Sequence, residues 1–141
     1  MNFWVPLVKA TAENGCMQVM RRSHTFGELP HNLHVSVYHG IADADLPPGE
    51  VVTCQMEVGD VLVLMERVLH RSLPNTSDTV RWSTDLRYSR IGLPTGREET
   101  PGFIARSREH PQRVAKSHLD WLKLFEEAGI DPGERGRAAR Q

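Results

Sequence analysis

Cysteine is scarce in this chain: only Cys16 and Cys54 occur, each alone in a separate expected strand. That excludes a disulfide framework and points to reduced thiols in a cytoplasmic protein. No apolar run approaches the roughly 20 residues of a membrane span, and no basic start followed by an apolar stretch marks a targeting signal. An excess of charge is missing too. With 17 Lys and Arg against 18 Asp and Glu, the net charge of −1 offers no basic surplus for nucleic acid or an anionic membrane. No internal repeat is visible, and helical periodicity is absent until the last third. What remains is an ordinary globular composition. An apolar fraction of 39% with 25% charged residues supports one core, and 141 residues set one domain as the ceiling.

Six short segments read as strands: Phe3 to Val8, Cys16 to Met20, His34 to Tyr38, Val51 to Met56, Val61 to His70 and Arg81 to Tyr88. Breaks rich in Gly, Pro, Asn and Asp separate them, and Asn14-Gly15 in particular is turn chemistry, because glycine tolerates positive φ. Pro6 suits a central, fully paired strand position poorly. Short strands with no helix between them imply a mainly β fold, an antiparallel sandwich or jelly roll. From Pro111 onward, Val114, His118, Trp121, Leu122 and Phe125 recur at helical spacing, and Gly129 is placed to cap the end. The expected organisation is a jelly-roll domain with its C-terminal amphipathic helix over residues 1–129, followed by a disordered tail over 130–141.

The chemistry concentrates between Val61 and Tyr88, which reads as two strands joined by the polar turn Leu73-Pro-Asn-Thr-Ser-Asp78. As neighbours in a hairpin, His70 at the end of the first strand and Arg81 at the start of the second would project into one cavity. Ser72 follows His70 by two residues and faces the same way. Imidazole suits a metal, and a guanidinium holds a carboxylate through two parallel hydrogen bonds. The plainer alternatives are a hydrogen-bonded histidine at a strand end and a surface arginine. Arg81, Ser83, Asp85 and Arg87 share one strand face, opposite Trp82, Thr84, Leu86 and Tyr88, and polar-out is the default for a sandwich.

His70-Arg-Ser-x-x-Asn75 followed by Arg81-Trp-Ser-x-Asp-x-Arg-Tyr88 resembles the C-terminal signature of the phytanoyl-CoA dioxygenase family of iron(II)/2-oxoglutarate oxygenases. The resemblance extends back to Trp4-Val-Pro-Leu7, to Glu13-Asn-Gly-Cys-Met-Gln-Val19 and to Arg22-Ser-His24, and forward to Pro101-Gly-Phe-Ile-Ala-Arg-Ser107. It implies a partial double-stranded β-helix of the cupin-like kind. It also implies a dioxygenase that couples 2-oxoglutarate decarboxylation to hydroxylation of a small organic substrate. By resemblance His70 is a metal ligand, and Trp4, Ser72 and Arg81 contact 2-oxoglutarate. Iron(II) and 2-oxoglutarate are the implied cofactors.

The family's remaining metal ligands form a His-x-Asp motif ahead of the Trp4 strand, and the chain does not contain it there. The expectation is therefore an N-terminally truncated oxygenase, with a non-catalytic jelly-roll remnant or binding module as the alternative. Self-association through exposed strand edges follows from that expectation. His118-Leu-Asp120 is the chain's one His-x-Asp tripeptide, but it follows His70 and falls in the expected helix. There, positions i and i+2 point about 200° apart and do not clasp one metal. His24 is read as structural. His31, His34, His39 and His110 lack ligand-like spacing.

Overall fold

A computed structural model describes residues 1–31, 40–93 and 100–133. The expected strand from His34 to Tyr38, His39, and the tail beyond residue 133 lie outside the described residues. The chain divides into two compact units, Met1–Tyr88 and Ser89–Gln141.

Among the described residues the first unit holds six strands: β1 (Asn2–Pro6), β2 (Met17–Met20), β3 (Val51–Cys54), β4 (Leu62–Leu64), β5 (His70–Ser72) and β6 (Ser83–Arg87). They form two antiparallel three-stranded sheets, one ordered β4-β1-β6 and the other β3-β2-β5. The fold is mainly β and compatible with a jelly roll, as the strand pattern implies. Pro6 ends the central strand β1, beyond its last pairing with β4 at Trp4, so its missing N–H costs no bond to that neighbour. Trp4, Ala10, Cys16 and Met17 form the buried cluster, and Cys54, Met56, Leu62 and Leu73 pack against it. Residues of both sheets meet there, which is how apolar burial holds the unit together.

The expected hairpin is corrected. Val61 to His70 is two strands, not one, and they belong to different sheets: β4 pairs with β1 and β5 with β2. The break lies at the exposed Glu66-Arg67 pair, where the Val68 N–H donates to the Met65 carbonyl at 3.2 Å in a tight turn. Two charged side chains interrupt the apolar run, and the chain turns out of one sheet and into the other. β5 and β6 are accordingly not ladder partners. The segment between them crosses from one sheet to the other.

In the second unit, α1 (His118–Ala128) starts later than the spacing from Pro111 implies; Pro111–Arg113 is a separate 3-10 turn. The cause is a capping box at Ser117 and Asp120. The Ser117 hydroxyl accepts from the Asp120 N–H, and the Asp120 carboxylate accepts from the backbone N–H groups of Lys116 and Ser117. Gly129 ends the helix in the left-handed region at φ 67°, as expected for a C-cap. Trp121 donates from its indole to the Pro101 carbonyl at 2.8 Å and meets the ring of Phe125 edge-on at 5.0 Å. No helix among the described residues is long and apolar enough to cross a membrane.

Candidate active site

The β2–β5 ladder decides which way the histidine strand faces. Met17 is paired with Ser72, Gln18 with Arg71 and Val19 with His70. On one face Arg71 donates from Nε to the side-chain oxygen Oε1 of Gln18 at 2.9 Å, and Gln18 donates from Nε2 to the Thr53 hydroxyl at 3.0 Å. This polar row across three strands fixes the register, since a slip of one residue would exchange the faces. His70 and Ser72 share the other face. The Ser72 hydroxyl donates to the Met17 sulfur at 3.4 Å.

The His70 ring is already oriented. Its Nδ1 lies 2.8 Å from the Val68 carbonyl oxygen. A carbonyl only accepts, so Nδ1 carries the proton and Nε2 of the neutral ring keeps its lone pair. Metal-binding histidines are typically tuned in this way.

Arg81 arrives from the crossing segment. Its Nη2 donates to the Ser72 hydroxyl at 3.3 Å, its Nη1 donates to the Ser83 hydroxyl at 2.7 Å, and the guanidinium lies 5.2 Å from the Trp4 ring centroid. The indole, only 4% exposed, supplies a flat wall. Sequence reasoning left open whether the Arg81 face of β6 points inward. Trp82, Leu86 and Tyr88 on the opposite face are exposed; on its own face Arg81 and Ser83 are half-buried, while Asp85, which lines the cleft, and Arg87 are exposed. The cleft occupies about 1210 Å³, and Trp4, His70 and Ser72 line it with Asp85.

Arg81 has donors to spare. A guanidinium carries five N–H groups; two are engaged by hydroxyls, and Nε is buried without an acceptor. No carboxylate pairs with it among the described residues. A half-buried cation with unused donors beside a hydroxyl and an aromatic wall has the chemistry of a carboxylate cradle, so these residues fit one carboxylate group. Iron fits less well. Among the described residues no three His, Cys, Asp or Glu side chains gather to hold a metal, at His70 or elsewhere.

Of the other candidate histidines, His24 does not line the cleft, whereas His31 does. Asp120 spends its carboxylate on the helix cap, which holds its carboxyl below the usual range, first through the Lys116 backbone bond and then through Lys123 and Ser117. His24 sits in an exposed 3-10 turn. His31 lines the cleft with Nδ1 directed to the Leu29 carbonyl at 2.8 Å. Cys16 and Cys54 are free thiols; burial pushes both up, and for Cys16 the nearby Cys54 adds to the effect.

Two supporting residues escaped sequence reasoning. Asn75 shapes the crossing segment: its Oδ1 accepts from the Ser77 N–H at 2.9 Å and its Nδ2 donates to the Thr79 carbonyl at 2.7 Å, which helps bring Arg81 round to Ser72. Its place in the His70-to-Asn75 motif was the available signal. Ser23 is 1% exposed and hydrogen-bonded to the backbone on both sides. Its place in the Arg22-Ser-His24 stretch was the only signal, and nothing there indicated burial.

The model of the phytanoyl-CoA dioxygenase family matches residues 1–83, a span that includes Trp4, His70, Ser72 and Arg81 and stops short of the Pro101 to Ser107 stretch. No solved structure matches the chain. Trp4, His70 and Ser72 line one cleft, and Arg81 is bonded to Ser72; with more than half of its length matched, the chain belongs to the phytanoyl-CoA dioxygenase family.

Proposed function

We propose that this chain carries the cosubstrate end of an iron(II)/2-oxoglutarate dioxygenase that hydroxylates a small organic substrate. The observation that carries the reading is Arg81: a half-buried guanidinium with unused donors, lying over the Trp4 ring and bonded to Ser72. The Arg81 fork takes the distal carboxylate of 2-oxoglutarate, the carboxylate farther from the keto group. Ser72 turns its hydroxyl from the Met17 sulfur to donate to the same carboxylate, and Trp4 excludes water from one side. These are charge-assisted bonds in a partly desolvated site, the stronger class of polar contact. His70 presents Nε2 toward a metal. One histidine does not make an iron site, and the reading leaves the remaining ligands to residues outside those described.

A second reading, a non-catalytic binding module, draws on the want of a three-ligand cluster among the described residues. It keeps the carboxylate cradle and gives up the chemistry. Two further elements belong to the proposal. Unpaired thiols favour the cytoplasm. The apolar outer face of the β4-β1-β6 sheet, where Phe3 is paired with both Val63 and Leu86, favours association with a second copy.

Calorimetric titration of the full chain with 2-oxoglutarate tests the cradle, with pyruvate, which lacks the distal carboxylate, as the control. Saturable binding of 2-oxoglutarate with none of pyruvate is expected. Equal response to both, or to neither, contradicts it. Succinate release in the presence of iron(II) and oxygen then separates the enzyme from the binding module.

A further inference from the structure

We infer that Ser23 is a positioning residue for His70, acting through the single peptide group that joins Val68 to Leu69. The Ser23 hydroxyl accepts from the Leu69 N–H at 2.8 Å and donates to the Met20 carbonyl at 2.8 Å. That Leu69 N–H belongs to the same planar unit as the Val68 carbonyl. The Val68 carbonyl is the acceptor that holds His70 Nδ1–H at 2.8 Å. One rigid plate is therefore gripped from both sides, by Ser23 at its N–H and by His70 at its C=O. The bonds run in series from imidazole to peptide to hydroxyl to the Met20 carbonyl, and each polarises the next.

The surroundings are arranged for this grip. Ser23 is 1% exposed, so no solvent competes for its hydroxyl. Arg22, just before it, is the one non-glycine with positive φ among the described residues, at φ 58° and ψ 12°. That conformation is disfavoured for a residue with a Cβ and persists only where the surrounding contacts fix it. It turns the chain so that Ser23 enters the interior while Arg22 and His24 stay exposed. The Met20 N–H also donates to the Leu69 carbonyl at 2.9 Å, so the next peptide is tied to β2 independently of Ser23. Removing the serine hydroxyl would free the Val68–Leu69 plate to rotate without undoing the pairing of His70 with Val19.

The consequence lies in the tautomer. While the plate is held, Nδ1 bears the proton and Nε2 stays open; once the plate turns, the imidazole relaxes toward a mixture of both tautomers. The importance of Ser23 for metal binding rests on the proposed ligand role of His70. The positioning itself does not, and it is read without metal.

Long-range proton–nitrogen NMR of the full chain labelled at histidine nitrogen, with His70→Gln to assign the signal, reports the tautomer at a pH well above the ordinary histidine value of about 6.5. In the unmodified chain His70 is expected wholly as the Nδ1–H form. Ser23→Ala should lose that purity and show both forms. Ser23→Cys, close in volume but a weak acceptor, should do the same if the alanine variant fails to fold. Thr25→Ala removes a hydroxyl bonded to the Arg22 carbonyl in the same turn and should leave the tautomer unchanged. An Nε2–H form in the unmodified chain, an unchanged Nδ1–H form in the folded serine variants, or an equal effect of Thr25→Ala overturns the inference. None of these outcomes bears on whether Arg81 binds 2-oxoglutarate.

Discussion

Arg81 and Trp4 meet although they arise from different parts of the first unit, the guanidinium carbon lying over the indole 5.2 Å from its centroid. Trp4 sits mid-strand in β1, opposite Asp85 of β6, and Arg81 stands just ahead of β6 with Nη1 on Ser83. The strand pairing that builds the sheet therefore also delivers the cation to its aromatic wall. Ser72 approaches the same guanidinium from the other sheet. Neither sheet alone makes the cradle.

The crossing segment between those sheets depends on Gly15. It has φ 87°, and a Cβ there would lie 2.7 Å from the Leu73 carbonyl oxygen, an atom of backbone that cannot swing aside. Gly15→Ala should destabilise the unit by roughly 1–3 kcal/mol, from left-handed strain and the forced shift of Leu73. A fall in the denaturant midpoint checks this, and resonances of Ser72 should move before those of distant β3.

How much of this was legible in the sequence follows from which forces are local. Alternation in Arg81 to Tyr88 and the family motif picked out Trp4, His70, Ser72 and Arg81, because side-chain type and period are written residue by residue. Partner choice is not. Val61 to His70 looked like one strand because its apolar residues outweigh Glu66-Arg67, yet the pairing of β4 with β1 and β5 with β2 is set by contacts distant in sequence. The start of α1 was misread because Val114 continues the helical spacing backwards, while the Ser117–Asp120 box, a local signal, decides the boundary. Ser23 stood in the Arg22-Ser-His24 stretch of the resemblance, but its role was not legible because its burial is a property of the fold.

The thiols should be inert in the folded chain. Burial raises both Cys16 and Cys54 above the ordinary thiol value, so the reactive thiolate is scarce at neutral pH. Mass spectrometry after brief iodoacetamide treatment should find Cys16 unmodified until denaturant is added, with Cys54, the less buried of the two, labelled first.

The helix cap should be acid-sensitive. Hydrogen bonds from Lys116, Lys123 and Ser117 hold the Asp120 carboxyl below its unfolded value. A lowered folded-state pKa means the stabilisation is complete above the unfolded value and is lost as pH falls through the folded one. Amide protection in α1 should therefore decline on acidification below the ordinary aspartate range, and Asp120→Asn should remove that dependence. Ser117→Ala should cost about 0.5–2 kcal/mol of helix stability at neutral pH.

The apolar face of β4-β1-β6 should drive association. Val63 is 51% and Leu86 44% exposed, and both are paired with Phe3. Light scattering should show species larger than a monomer, and Val63→Lys with Leu86→Lys should reduce them. A monomer at all concentrations would contradict the assembly reading.

The affinity of Arg81 variants for 2-oxoglutarate tests the central claim most directly. A hydrogen bond to a charged group contributes roughly 1.5–3 kcal/mol, and each 1.4 kcal/mol is about tenfold in affinity. By calorimetry, Arg81→Ala should weaken 2-oxoglutarate by about one to two decades. Arg81→Lys should recover only part of the loss, because a point charge does not reproduce the planar fork. An Arg81→Ala chain that folds and binds 2-oxoglutarate as tightly as the unmodified one would contradict the account and make the arginine a structural bridge between Trp4, Ser72 and Ser83.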